Sequence, residues 1–317
     1  MHGRAQALTA LRAFFAAREF VEVETPLLVP SPGLEIHLDA VRAGGGYLIT
    51  SPEYQMKRLL AGGFDKIYQV CKCFRGGERG PHHASEFTMV EWYRAFDHLD
   101  TIMKDMESLV HTVVRAVSHA STVKIGARTI DVTPPWPRLT VREAMKKWAN
   151  VEIAGDEPAA DLVAKVRRAD VKVADGTAWD DAFFAAFLAR VEPAIAALEH
   201  PMILEDWPAP LAALAKRKPA DPLTALRFEA YVGGIELANA FGELTDPVEQ
   251  RSRFEEDLRI RGERNREVYP IDEKLLAALA EGLPPSAGIA LGFDRLVMLA
   301  TGAASIDQVL SFTADEL

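Results

Sequence analysis

The feature that most constrains this chain is residue alternation broken by turns. Two runs with a period of two, residues 66–74 and 86–94, flank a charged, glycine-bearing loop over residues 75–85. A third stretch, residues 226–243, alternates on both sides of Gly233-Gly234. Side chains two apart on a strand share a face, and a Gly-Gly pair between alternating runs marks a tight hairpin turn. Such runs pair as antiparallel hairpins. Helical spacing surrounds them. Leu8, Leu11, Phe14 and Phe15 mark a helix over 7–18, and further helical patterns cover 100–119 and 247–266. Ser51, as candidate N-cap, and Pro52, at the first helical position, open another helix that Gly62-Gly63 ends. Residues 20–24 read as a short strand stopped by Thr25-Pro26, and residues 288–299 pass from a glycine-spaced strand into a helix. The expected fold is α+β, an antiparallel sheet flanked by helices. Residues 1–317 are expected to form one domain with a mostly helical insertion at about 141–221, apart from a strand at Met202-Ile203-Leu204.

At 317 residues and 49% hydrophobic content, the chain can bury one large core. No apolar targeting segment opens it, and no stretch approaches the roughly 20 apolar residues of a spanning helix, so a cytoplasmic protein without membrane contact is expected. Cys71 and Cys73 lie two apart on one strand face, and nearby His82 and His83 lack the spacing of zinc ligands, so buried or half-buried thiols are expected rather than a metal site. The net charge of −10 opposes broad electrostatic capture of a nucleic acid, tRNA included.

Four constellations carry polar chemistry. Phe87, Met89, Glu91 and Tyr93 share one strand face, either a platform with an embedded carboxylate or an ordinary exposed face. If Gly233-Gly234 is a two-residue loop, Tyr231 faces Glu236, and Glu229 lies diagonal to Glu236 at roughly 7 Å. Two like charges there suit Mg²⁺ with substrate phosphates, the alternative being two solvated glutamates. Asn239, Phe241 and Glu243 alternate on one face, offering an amide and a carboxylate around a ring for an ammonium-bearing ligand, or simply a decorated strand. Arg75 opens the long hairpin loop and Arg295 opens a helix after a glycine-spaced strand; both suit phosphate oxygens, or pair with surface carboxylates. Neither of the familiar Gly-rich nucleotide loops is present, so a nucleotide would lie on the sheet. No Ser-His-Asp or Cys-His set stands out.

Taken in order, these pieces resemble the class II aminoacyl-tRNA synthetases, in particular the lysyl branch. Val21-Glu22-Val23-Glu24-Thr25-Pro26 looks like motif 1, Phe74-Arg75 through Glu86-Phe87-Thr88-Met89 like motif 2, and Gly292-Phe293-Asp294-Arg295 like motif 3. Ser51-Pro52-Glu53-Tyr54 with Lys57-Arg58-Leu59, and Gly234-Ile235-Glu236-Leu237-Ala238-Asn239 with Phe241-Gly242-Glu243-Leu244, narrow the likeness to the lysine-specific catalytic domain. Motif 1 begins near the N-terminus of this sequence, so a chain without an anticodon-binding domain is expected. With Glu91-Trp92-Tyr93-Arg94 and Ala290-Leu291-Gly292, the chain is similar to the elongation factor P lysine ligases, in which an alanine, here Ala290, replaces a glycine of the amino-acid pocket and (R)-β-lysine is preferred.

The resemblance implies an ATP site of Arg75, Gly76, Gly77, Glu78, His83, Phe87, Glu236, Leu237, Gly292 and Arg295. Within it Arg75 contacts the α-phosphate, Phe87 stacks on adenine and Arg295 holds the γ-phosphate. It implies Mg²⁺ on Glu229 and Glu236, and a lysine-type substrate held by Ser51, Pro52, Glu53, Glu91, Tyr93, Asn239, Phe241, Glu243 and Ala290. Arg75 and Arg295 are the catalytic residues, and a homodimer through motif 1 is expected. Two departures stand out. Gly77 occupies the usual Glu position of motif 2, with Glu78 following it, and Ala84-Ser85 replaces Asn-Pro. The expected reaction is AMP-forming amide ligation of (R)-β-lysine or L-lysine to a lysine side chain of elongation factor P. Rival readings are a lysine-adenylating paralogue with another acceptor and a silent amino-acid sensor; a sensor has no use for the phosphate-type residues Arg75, Arg295, Glu229 and Glu236.

Overall fold

The alternating runs form the middle of one sheet. The computed structural model describes residues 1–313, 315 and 316. Among them, a nine-stranded sheet runs from edge to edge as Val21–Glu22, Lys66–Phe74, Glu86–Ala95, Ser286–Gly292, Ile235–Gly242, Asp221–Val232, Met202–Pro208 and Arg138–Thr140, with Arg217–Lys218 paired to Asp221–Val232. The interior pairings are antiparallel, as the hairpin pattern demands. Both edges differ: Val21–Glu22 runs parallel to Lys66–Phe74, and Arg138–Thr140 runs parallel to Met202–Pro208. Short edge strands reached by long connections pair in either sense.

One face of the sheet is apolar and lies under helices. Val90, Trp92, Phe228, Ala238, Ala240, Ile289 and Leu291 point there, against His2–Ala16, Leu99–Ser118 and Phe293–Thr301. Phe15 fixes the first helix by stacking on Tyr68 at 4.2 Å and meeting Trp92 edge-on at 5.4 Å. The motif 3 helix is tied to the sheet at its start. Asp294 accepts from the Thr88 amide at 2.6 Å and pairs with Arg4 at 2.5 Å, which aims the next residue, Arg295, across the sheet.

Residues 141–196 are helical in several pieces, from Val141–Ala144 to Glu192–Ala196. Thr140 and Glu143 form a capping box at their start. Leu162, Phe183 and Phe187 build a second core with Trp207 and Tyr231 of the sheet. The strand expected at Met202-Ile203-Leu204 extends to Pro208. At the hairpin tip Gly233 and Gly234 take φ of 60° and 89°, and a Cβ on Gly234 would lie 2.6 Å from Ala196 Cβ, so the turn and the covering helix both need glycine there. Before Glu53–Ala61, the strands Leu28–Val29, Gly46–Leu48 and Arg42–Ala43 form a small sheet of their own. That helix starts one residue later than its sequence suggests, with Pro52 at the N-cap, although Ser51 Oγ still accepts the Glu53 amide at 3.1 Å. Among the described residues no helix is long and apolar enough to cross a membrane.

Candidate functional site

On the face opposite those three helices, the ladder sets the site residues in two rows. Gln69, Glu91, Ala290, Asn239 and Glu229 are successive cross-strand partners, and so are Ile67, Tyr93, Gly288, Phe241 and Arg227. Directly paired residues share a face, so side chains far apart in sequence stand side by side.

Beside the middle of these rows, next to Tyr93 and Gly288, lies a buried charge cluster. Lys57, 2% exposed, sits between Glu53 at 2.5 Å and Glu243 at 2.6 Å. Glu91, 1% exposed, accepts from Tyr93 at 2.5 Å and from Ser51 at 2.8 Å. Burial alone would lower the Lys57 pKa, but Glu243 and Glu53 outweigh it and hold the ammonium above its usual range. Burial pushes Glu243 up to about 8 against the pull of Lys57, and burial with repulsion from Glu53 raises Glu91 well above the carboxylate range. Asn239 Oδ1 is enclosed without a hydrogen-bond partner among the described residues. Gly288 makes this packing possible, since a Cβ there would lie 2.2 Å from Tyr93 Cε1 and 2.7 Å from Glu243 Oε1. Acceptors thus outnumber donors in an enclosed space, an arrangement completed by ammonium groups from outside.

At the other end are the phosphate-type residues. The Arg75 guanidinium lies 5.1 Å from the Phe87 ring centre and 3.8 Å from Glu78, and the Gly76 amide is taken by the Asp39 carbonyl at 2.6 Å. Glu78 therefore stands beside Arg75 although Gly77 holds the motif position. Ser85, in place of the usual proline, donates to the Glu78 carbonyl at 3.0 Å and braces the loop. Arg295 donates to the carbonyls of Glu236 at 2.6 Å and His82 at 3.1 Å and lies 2.8 Å from His83 Nε2. Gly292 precedes it as the helix N-cap. The Leu237 side chain is buried in the helix-side core, which leaves its backbone as the part available to a ligand.

The acidic pair also differs in detail from its expected geometry. Tyr231 faces Glu236, but a bulge between Ala230 and Tyr231 sets Glu229 opposite Asn239. Glu229 is already engaged, by Arg227 at 2.6 Å and by the Tyr231 hydroxyl. Burial raises it to about 7, with Arg227 opposing and Glu236 adding. Glu236 is 44% exposed in its side chain and points toward Arg295. Among the described residues no three His, Cys, Asp or Glu side chains gather to hold a metal. Two carboxylates, one enclosed and one open, match a Mg²⁺ ion that takes its other oxygens from phosphates, better than a cage made of protein alone. Cys71 and Cys73 are free thiols with sulfurs 3.9 Å apart, on a shared face as expected.

Lys57, Arg227 and Tyr231 were not singled out by sequence reasoning as site residues. The i,i+4 spacing of Glu53 and Lys57 was a usable signal for the first; the other two needed the ladder.

Comparison with known proteins follows the same lines. A family model described as tRNA synthetases class II (D, K and N) matches residues 1–316. The chain is 40% identical over 318 residues to a lysine--tRNA ligase of Dehalococcoides mccartyi, covering 98% of this chain and 63% of that protein. It is 40% identical over 325 residues to the elongation factor P--(R)-beta-lysine ligase of Salmonella paratyphi A and 39% identical to that of Klebsiella pneumoniae, covering 98% of this chain and 94% of each relative. The chain thus spans under two thirds of the length of the lysine--tRNA ligases it matches.

Proposed function

This chain belongs to the class II tRNA synthetases of the D, K and N group, and from that premise we propose that it activates (R)-β-lysine or L-lysine with ATP and passes it to a lysine side chain of elongation factor P. The observation that carries the amino-acid part is the enclosed cluster in which Glu53 and Glu243 flank the Lys57 ammonium while Glu91 is buried on Tyr93 and Ser51. A dicationic substrate balances such a site; a neutral side chain does not. The acceptor is supported by the activity named for the ligases at 39–40% identity, and the preference for (R)-β-lysine by Ala290, which lies between Glu91 and Asn239 in the first row.

In this reading Glu91, Tyr93, Asn239 and Glu243 orient the diamino acid, and Ser51 holds the Glu91 carboxylate in place. The substrate carboxylate attacks the α-phosphorus of ATP. A carboxyl–phosphate bond forms, the α–β phosphoanhydride breaks and pyrophosphate leaves. Arg75 stabilises charge at the α-phosphate, Arg295 with His83 holds the far end of the triphosphate, and the Phe87 face receives adenine. Glu229 and Glu236 would hold Mg²⁺, which neutralises phosphate charge when bound. The acceptor amine then attacks the mixed anhydride, forming the amide and releasing AMP. We place the reaction in the cytoplasm, within one catalytic domain. We place a homodimer contact at the motif 1 segment, where Val21 and Leu28 are 48% and 49% exposed.

ATP–pyrophosphate exchange tests the first half. Exchange that depends on L-lysine or (R)-β-lysine is expected, and exchange with neither sinks the proposal. The 40% identity to lysine--tRNA ligases favours one second reading, transfer to tRNA; charging of tRNA in the same assay would establish it.

A further inference from the structure

Glu229 stands where the open site face passes beneath the helical insertion. On one side its ladder partner is Asn239; on the other it is Leu204, which is buried in the second core with Phe183, Phe187 and Trp207. Directly paired residues share a face, so this carboxylate, in a residue 6% exposed, has the site on one flank and the insertion on the other.

Both of its oxygens are held by groups that the insertion supports. Arg227 donates to Oε1 at 2.6 Å and the Tyr231 hydroxyl donates to Oε2. Among the described residues, no hydrogen bond reaches the carboxylate from Asn239 or Glu236. The two donors are themselves fixed. The Arg227 guanidinium lies 4.3 Å from the Trp207 ring centre and 5.8 Å from that of Phe241, and its other arm donates to the Leu211 carbonyl at 2.6 Å. Tyr231, 4% exposed, packs in the second core, where Trp207 meets Phe187 at 5.6 Å. A chain of packed and bonded groups thus runs from the insertion helices to one carboxylate.

A glutamate that only neutralises Arg227 needs neither the tyrosine nor an open flank. An ionised carboxylate offers about four lone-pair sites, and this clasp uses two of them, one on each oxygen. Each oxygen keeps capacity for a ligand arriving from the Asn239 side. Outer groups of this kind orient the carboxylates that bind metal ions and tune their affinity.

We propose that Arg227 and Tyr231 are positioning residues for Mg²⁺, and that the helical insertion serves the site by holding them. Its core fixes Glu229 as the rigid half of the acidic pair, while the more open Glu236 completes the site with the phosphates. This rests on the reading that Glu229 and Glu236 hold Mg²⁺ beside ATP.

The test uses Mn²⁺ as the probe, followed by the enhancement of water-proton relaxation when Mn²⁺–ATP binds the full chain. Calorimetric binding of L-lysine and of metal-free ATP runs beside it. Tyr231→Phe deletes one hydroxyl, and Arg227→Lys keeps the charge but loses the planar fork. Each is expected to weaken Mn²⁺–ATP binding roughly 10-fold to 100-fold and to leave L-lysine and metal-free ATP within about twofold. In pyrophosphate exchange the Mg²⁺ concentration for half-maximal rate should rise by the same factor, with excess Mg²⁺ restoring most of the rate, a split that loss of folded protein does not produce. Phe187→Leu, one packing layer behind Trp207, should weaken Mn²⁺–ATP by a smaller factor, and Phe15→Leu in the other core should not. Unchanged Mn²⁺–ATP binding in the first two variants, equal weakening of L-lysine or metal-free ATP, or equal effects of the two phenylalanine variants overturns the proposal. If the wild-type chain binds L-lysine and ATP but shows no Mn²⁺ enhancement, the metal reading of Glu229 and Glu236 falls and the proposal falls with it.

Discussion

Lys57→Met removes the ammonium between Glu53 and Glu243 while keeping most of the side-chain volume. The two contacts, 2.5 and 2.6 Å, are made at 2% exposure, so no water replaces the lost charge. Breaking one member of a buried ionic group costs about 3–5 kcal/mol, because the remaining charges stay buried without compensation. With an unfolding entropy of about 2.1 cal/mol/K per residue over 317 residues, each kcal/mol lowers Tm by about 1.5 °C. The variant should therefore melt about 5–8 °C below wild type by calorimetry. The deficit should be smaller at pH 6 than at pH 8.5, since protonating Glu243, whose pKa burial has already raised to about 8, removes part of the uncompensated charge. A loss under about 1 kcal/mol, or one independent of pH, would refute the view that Lys57 is the internal counter-ion of this pocket.

Three further outcomes are expected. Glu243, raised by burial to about 8, binds its proton more tightly folded than unfolded, so its stabilising effect is complete below the ordinary pKa near 4.5 and is lost as pH rises to about 8; the ligand-free protein should lose stability across that window. Diamino-acid binding should release protons there, read from calorimetric enthalpies in buffers of different ionisation enthalpy, and proton uptake would contradict it. Gly288→Ala forces a methyl against Tyr93 and Glu243 and should cost about 1–3 kcal/mol with a raised KM for the diamino acid in pyrophosphate exchange; an unchanged KM would mean that this contact does not shape the pocket. Ala290→Gly should shift kcat/KM toward L-lysine over (R)-β-lysine by roughly 10-fold or more, the scale of one methyl group in a tight pocket, and an unshifted ratio would remove Ala290 from substrate choice.

The hairpins were legible because period-two runs around Gly233-Gly234 allow few other arrangements, and the Tyr231–Glu236 pairing followed directly. The bulge that sets Glu229 opposite Asn239 was not legible, since one extra residue in a ladder leaves no local signature when its side chain, as at Leu237, remains apolar. The parallel edges escaped for a related reason: Val21–Glu22 and Arg138–Thr140 are too short to encode a partner. In the site, Arg75, Glu91, Asn239, Glu243 and Arg295 could be named from motifs and alternation. Lys57 could not be assigned its role, because a helical lysine is nearly always solvated and only the fold puts this one between two carboxylates.

The most direct measurement is the mass of the acceptor after incubation of this chain with ATP, Mg²⁺ and (R)-β-lysine or L-lysine, with elongation factor P in one reaction and tRNA in another. A lysyl-sized gain on elongation factor P, larger with (R)-β-lysine and absent with Arg295→Ala, is the predicted result. Pyrophosphate exchange without any gain on elongation factor P would contradict it and leave a lysine-activating enzyme with a different acceptor.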